Sequence, residues 1–250
     1  MLGKSPAIPD AGGAHSGYLI THAGFTLLLD CGGGVFAKLR SYADPVAVDA
    51  VLISHLHADH MLDLLPFSFA LASGQIGNQR RQPLLWGPPS AAVAFSAYAN
   101  AVGMADQINE GFWVREYDPA RELKLGPLVI SFCKVPHYIP AWACDLRAPT
   151  GRRLTFGGDC GPNDKVIALA RDTDLLMLEA TEGAGPHIGD GVRGHLTSAE
   201  AGAIAHHAGA RRLVLTHYSD LLDADELRSA AERTFGGPVE LATERARYVV

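Results

Sequence analysis

Two β-sheets stacked face to face with helices outside them is the fold class this 250-residue chain predicts, and three observations carry it. Short apolar runs that read as strands fill both halves of the chain, with helical stretches between them, as in an α/β sandwich. Gly 27 and Pro 15 supply turns for many short strands rather than for a helical bundle. Apolar residues make up 48% and charged ones 19%, enough to bury a sizeable core and to exclude disorder. At this length one domain over residues 1–250 is expected.

Tyr18 to Ile20 and Phe25 to Asp30 flank the turn His22-Ala23-Gly24 and read as a hairpin. Cys31-Gly-Gly-Gly34 breaks the second strand, Val35 to Tyr42 is a short helix, and Asp44-Pro45 closes it. Val48 to Ser54 is a continuous β-branched and apolar run, the pattern of a buried strand. After it, Met61 to Leu71 is helical with an interruption at Pro66. A strand at Leu84 to Trp86 and an Ala-rich helix near 90–103 follow, then an irregular polar stretch to about 124 with a strand at Phe112 to Tyr117. Leu128 to Val135, Trp142 to Arg147, Arg153 to Phe156 and Leu175 to Leu178 are further strands, with a helix at Lys165 to Arg171. Thr197-Ser-Ala-Glu200 has the spacing of a capping box and opens a helix ending near Gly209. A strand at Leu213 to Leu215, a helix near 223–234 and a strand at Val239 to Ala242 complete the chain.

Charge and cysteine usage narrow the function classes. Lys+Arg 21 against Asp+Glu 27 gives a net charge of −6, which argues against a surface built to grip nucleic acid. The apolar runs are far too short to span a membrane. Cys31, Cys133, Cys144 and Cys160 form no framework and read as reduced thiols. Met1-Leu-Gly-Lys-Ser-Pro6 carries no charged region followed by an apolar one, so a cytoplasmic protein is expected.

The chemistry is concentrated in the eleven histidines. His55-x-His57-x-Asp59-His60 places four metal-ligating side chains directly after a buried strand. An isolated H-x-H is common; this cluster at a strand end would be costly without a compensating partner. At an extended strand end His55 and His57 point the same way, and Asp59 and His60 project from the first turn of a following helix. Three further candidates stand where strands stop: His137, Asp159 and His217. A carboxylate bridges two cations about 3.5–4 Å apart, so Asp159 is the natural bridge. His55, His57 and His137 then hold one metal, and Asp59, His60 and His217 the other. Two divalent ions are expected, zinc first and manganese as the alternative, with water between them acting as hydroxide near neutral pH.

The order H-x-H-x-D-H, lone His, Gly-Asp and final Thr-His resembles the metallo-β-lactamase superfamily over essentially the whole chain. That resemblance implies a four-layer αββα sandwich of two mixed sheets with the metals at one edge. Leu2-Gly-Lys-Ser-Pro, Ser16-Gly-Tyr-Leu19, Gly158-Asp-Cys-Gly-Pro-Asn-Asp164, Leu178-Glu-Ala-Thr181 and Gly194-His-Leu-Thr197 are similar to the ribonuclease Z branch in order and spacing. The resemblance implies that His195 is the general acid, that Glu179 orients it, and that the protein is a homodimer.

Departures from that branch point away from transfer RNA. The bacterial ribonucleases carry a long arm between the lone His and the Gly-Asp, whereas here only residues 138–158 separate His137 from Asp159. The branch's His-Glu-Ala-Thr reads Leu178-Glu-Ala-Thr181, and the usual first strand is expected to be short or missing. Asp30-Cys-Gly-Gly-Gly-Val35, Ala43-Asp-Pro45 and Leu52-Ile-Ser-His-Leu-His-Ala-Asp-His60 are similar to armless bacterial cyclic-nucleotide phosphodiesterases. A phosphodiesterase acting on a small diester is therefore expected. Asp59 orients the nucleophile, His195 protonates the leaving group, and Tyr138 and Trp142 are candidates to stack on a base. His206-His207 reads as solvated surface, and the Gly-rich stretch 183–194 with His187 as a cover for the site. The alternatives are a ribonuclease Z-like endonuclease, which needs a basic track such as Arg80-Arg81, Arg152-Arg153 or Arg211-Arg212, and a lactone or ester hydrolase on the same metals.

Overall fold

The computed structural model describes residues 1–77, 80–187, 191 and 193–250. The first half builds a five-stranded sheet in the spatial order of its sequence: β1 (Tyr18–His22), β2 (Phe25–Leu29), β3 (Ala50–Leu52), β4 (Leu84–Gly87) and β5 (Trp113–Glu116). β1 and β2 are the expected hairpin; every other pair in this sheet is parallel. The second half adds β6 (Leu123–Leu125), β7 (Leu128–Val135), β8 (Ala141–Arg147), β9 (Arg153–Phe156), β10 (Leu175–Glu179), β11 (Leu213–Thr216) and β12 (Val239–Leu241). These form a seven-stranded sheet in reverse spatial order, antiparallel from β6 to β9 and parallel from β9 to β12.

Period-two alternation decides which face of the first sheet meets what. Leu27, Leu29, Ala50 and Leu52 join the buried cluster that contains the second sheet, while Leu28, Val51 and Ile53 face the opposite way. On that outer face lie α1 (Val35–Tyr42), α2 (Ala58–Met61), α3 (Leu64–Ser73), α4 (Ala91–Ala101) and α5 (Gln107–Gly111), through Leu39, Phe67, Phe95 and Ile108 among others. The second sheet is covered by α6 (Asp164–Leu169), α7 (Ser198–Ala208) and α8 (Ala224–Phe235), through Val166, Ile204 and Leu227. The result is the expected four-layer αββα sandwich of two mixed sheets, the metallo-β-lactamase fold.

Several boundaries differ from the sequence reading for identifiable reasons. The run Val48 to Ser54 yields only the three-residue β3, because a 3₁₀ turn at Pro45–Ala47, capped by the Asp44 side chain on Val46 N–H, feeds the chain in. The helical break falls after Met61 rather than at Pro66, which sits in the first turn of α3 where no N–H is needed. The stretch before residue 124 is not wholly irregular: it holds α5 and β6. The capping box at α7 forms as expected, Thr197 and Glu200 exchanging both bonds. All four cysteines are free.

The topology also selects an edge. β7 and β9 both run antiparallel to β8 and therefore point the same way, and β10 and β11 run parallel to β9. The C-terminal ends of β7, β9, β10 and β11 thus emerge on one edge, followed by His137, Asp159, Thr181 and His217 in turn. An isolated backbone bridge between His55 and Ala141 ties the end of the first sheet to that same edge.

Candidate metal centre

Two groups of four side chains meet at this edge, each with its ligand atoms within 4.8 Å of one another: His55, His57, His137 and Asp159, and then Asp59, His60, Asp159 and His217. Asp159 belongs to both groups. Its Oδ2 lies 3.8 Å from His55 Nε2, 4.0 Å from His137 Nε2 and 3.4 Å from His217 Nε2, and its Oδ1 lies 3.3 Å from His60 Nε2. Asp59 Oδ2 is 3.2 Å from His217 Nε2. The structure thus brings together all seven residues that the sequence nominated as ligands. Atoms about 2.0–2.2 Å from one tetrahedral ion stand roughly 3.3–3.6 Å apart, so these separations suit a shared cation.

Hydrogen bonds at the far nitrogens fix which ring atoms face inward. His60 Nδ1 lies 2.8 Å from Asp30 Oδ2, and His137 Nδ1 lies 2.7 Å from the Gly194 carbonyl, so both rings donate outward and leave Nε2 bare. Ser54 Oγ donates to Asp30 Oδ2 and in turn accepts from His55 Nδ1 at 3.1 Å, which leaves His55 Nε2 bare, buried and without a partner. These inward nitrogens lie close to further ring nitrogens: His60 Nε2 and His217 Nε2 are 3.3 Å apart, and His137 Nε2 and His57 Nδ1 are 3.0 Å apart. Ring nitrogens this close to one another, beside the buried Asp59 and Asp159, are held together by shared protons or by a cation between them. The residues fit divalent metal.

Electrostatics divide the rings into neutral ones and one that favours its charged form without a cation nearby. Burial pushes the His55, His57 and His137 imidazolium forms down, His137 to about 4, so these rings are neutral at neutral pH, the form that can ligate a metal. Burial opposes ionisation of Asp59 and Asp159, but the neighbouring His217 and His60 outweigh it and hold both well below the carboxylate range. His60 is pushed down by burial and up, more strongly, by Asp159 and Asp30. The backbone bears strain here as well: His217 has φ +50° and Asp30 φ +58°, the left-handed region that non-glycine residues avoid. Gly32 is obligatory, since a Cβ there would stand 1.9 Å from the Asp59 carbonyl oxygen.

A third cluster, Glu179, His195 and His217, adjoins the two groups. His195 Nδ1 is 3.0 Å from both carboxylate oxygens of Glu179, whose Oε1 also accepts from Cys160 N–H at 2.7 Å. Burial pushes the His195 imidazolium down, yet the bond and charge of Glu179 raise it to about 9, so the ring is a proton donor at neutral pH. Its ring centroid is 5.0 Å from that of His137 and 6.0 Å from that of His217.

The two aromatic candidates separate. Tyr138 is 59% exposed at the rim, 5.1 Å from His137 and 5.6 Å from His195 between ring centroids. Its ring lies on Gly194, where a Cβ would come within 2.7 Å of it. Trp142 instead is buried against Tyr117 in the core between the sheets and is not available to stack on a base. His206 and His207 bond to the Phe235 and Ala203 carbonyls on the exposed side of α7. Of the stretch 183–194, residues 188–190 and 192 lie outside the described residues; His187 Nδ1 meets Glu182 Oε2 at 2.5 Å. Sequence reasoning missed three supports: Asp30, Ser54 and Thr181. Only Asp30 carried a signal, a polar residue of ligating type directly after the buried run Leu27-Leu-Leu29.

Residues 26–218 match the Beta-lactamase superfamily domain. The chain is 33% identical over 248 residues to the probable metallo-hydrolase YhfI of Bacillus subtilis, covering 97% of this chain and 95% of that protein. The crystal structure of YhfI, a metallo-β-lactamase fold protein, superposes with a TM-score of 0.85 at 31% identity, covering 97% and 95% of the two chains. Ribonuclease Z of Myxococcus xanthus is 34% identical over 295 aligned positions, covering 97% of this chain and 94% of that one.

Proposed function

Because the chain belongs to the β-lactamase superfamily and is a metal-dependent hydrolase within it, we propose that it cleaves a small phosphodiester. The observation that carries this reading is the sharing of Asp159 between two four-residue groups, with the His195–Glu179 pair beside them. In this reading His55, His57 and His137 would hold one divalent ion and Asp59, His60 and His217 a second, both zinc, with Asp159 available to each. Such ions, when bound, supply Lewis acidity toward the phosphoryl oxygens and lower the pKa of an attacking water. Asp59 orients that water and accepts its proton. His195, held by Glu179, protonates the departing oxygen, which an alkoxide leaving group requires and an activated ester or lactone needs far less.

Two observations favour a small diester over RNA. The alignment with the Myxococcus ribonuclease Z runs 295 positions against a chain of 250, so at least 295 − 250 = 45 positions of that relative have no counterpart here. The arginine pairs make no basic track beside the site. Arg152, Arg153, Arg211 and Arg212 precede β9 and β11 or open them, at the opposite end of the strands from Asp159 and His217, and each meets a carboxylate of Asp174, Asp145 or Glu240. Arg81 meets Asp49.

A turnover panel tests the proposal: cyclic nucleotides, linear dinucleotides, a precursor RNA and lactones, each with zinc and with manganese. Hydrolysis of the small diesters is the expected result. Turnover of lactones with every phosphodiester inert would overturn it, and activity confined to RNA, steeply lost with salt, would favour the endonuclease.

A further inference from the structure

We infer that Thr181 is a positioning residue, a hydroxyl relay that joins the metal ligand His217 to the carboxylate holding the acid His195. The inference rests on the metal-site reading above. Register places the residues together: Glu179 ends β10 opposite Thr216 of β11, so the chains leave the sheet side by side at Thr181 and His217. The Thr181 hydroxyl has one proton and three neighbours, Glu179 Oε2 at 2.5 Å, His217 Nδ1 at 2.9 Å and the His217 carbonyl oxygen at 2.9 Å. The shortest contact is to a carboxylate, and O–H···O⁻ bonds are the short, strong class, so the proton goes to Glu179. The hydroxyl oxygen is then an acceptor, and His217 Nδ1–H fills it.

That assignment leaves His217 Nε2 bare, and Nε2 is the atom that lies 3.2 Å from Asp59 and 3.4 Å from Asp159. Glu179 makes no hydrogen bond to His217; its other bonds come from Cys160 N–H, Thr181 N–H and His195 Nδ1. The same device recurs across the site, where Asp30 takes the Ser54 proton and Ser54 Oγ accepts from His55 Nδ1. A second reason for a dedicated clamp is the left-handed backbone of His217, a conformation that persists only when its surroundings enforce it.

The test uses the full-length protein reconstituted with zinc, comparing Thr181→Val, which keeps the shape and loses the hydroxyl, with Thr181→Ser, which restores it. Zinc stoichiometry and affinity are read by chelator competition, with no turnover involved. Wild type is expected to hold two ions. Thr181→Val should keep one at wild-type affinity and bind the other about 10–100-fold more weakly, while Thr181→Ser stays within a few-fold for both. Imidazole ¹⁵N shifts should place the His217 proton on Nδ1 in wild type and in Thr181→Ser. Wild-type affinity for both ions in Thr181→Val would overturn the inference, as would a Thr181→Ser as weak as Thr181→Val. Should Thr181→Val not fold, Thr181→Ala against Thr181→Ser makes the same comparison. A wild-type protein that binds no zinc overturns the metal-site reading itself, a result distinct from two ions held equally by every variant.

Discussion

His60 Nδ1 donates to Asp30 Oδ2 across 2.8 Å with both side chains wholly buried. Ser54 supplies the other two bonds to Asp30, N–H to Oδ1 at 2.8 Å and Oγ–H to Oδ2 at 2.9 Å, and passes the constraint on to His55. One carboxylate therefore orients a candidate ligand of each four-residue group. Asp30→Asn puts an amide donor beside His60 Nδ1 and favours the tautomer with the proton on the inward nitrogen. Both ions should then bind about 10–100-fold more weakly. Chelator competition measures this, and unchanged affinities would show that Asp30 supports only the fold.

Much of the site was legible because its ligands obey a local rule. His55, His137, Asp159 and His217 each follow a buried strand closely, and polar residues of ligating type in such places need a partner. Thr181 and Ser54 carried no such signal. A Ser or Thr beside a strand is ordinarily a turn residue, and what makes these two different is a contact formed only in the folded chain, 36 residues away in the case of Thr181 and His217. Trp142 misled for the converse reason. It follows His137 closely in sequence, but both faces of β8 are buried and its ring packs against Tyr117. The presence of α5 reflects tertiary packing overriding local pattern, since α5 buries Ile108 against α3 and gains its stability there.

Zinc should raise the thermal stability of the metal-free protein, because Asp59, Asp159 and the facing ring nitrogens lose their repulsion when a cation joins them. At a free concentration one hundred times Kd the gain is about 2.7 kcal/mol per site. Asp159→Asn removes the ligand common to both groups and should abolish most of that increase, whereas His217→Ala should leave the part due to the first group. A melting temperature that ignores zinc in the wild type contradicts the ligand assignment.

As the proposed acid, His195 should set the basic limb of the pH profile. Its folded-state pKa, held at about 9 against burial by Glu179, exceeds the ordinary imidazole value. The donor form is thus present at neutral pH and lost as pH rises through about 9; cations bound beside it move that limb lower. The same sign applies to stability: the contribution of the Glu179 pairing is full below the unfolded pKa near 6.5 and disappears as pH rises through the folded value. His195→Ala should slow diesters with alkoxide leaving groups by about 10²–10⁴ and remove the basic limb, with little loss on nitrophenyl esters. An equal loss on both leaving groups would take His195 out of the acid role.

Tyr138 offers a flat, exposed ring beside His137 and His195, held in place by the bare Cα of Gly194. If the substrate carries a base, that ring is where it stacks, a contact worth roughly 1–3 kcal/mol. Two esters with the same leaving group separate stacking from chemistry: thymidine 5′-(p-nitrophenyl phosphate) and methyl p-nitrophenyl phosphate. Tyr138→Ala should raise KM for the nucleoside ester about 5- to 150-fold, the equivalent of that energy, and leave the methyl ester unchanged, while Tyr138→Phe behaves as wild type. Gly194→Ala should act in the same direction, because its Cβ would land 2.7 Å from the ring and displace it. If Tyr138→Ala changes both esters alike, the tyrosine is bracing the segment that carries His195, and the base, if there is one, rests elsewhere.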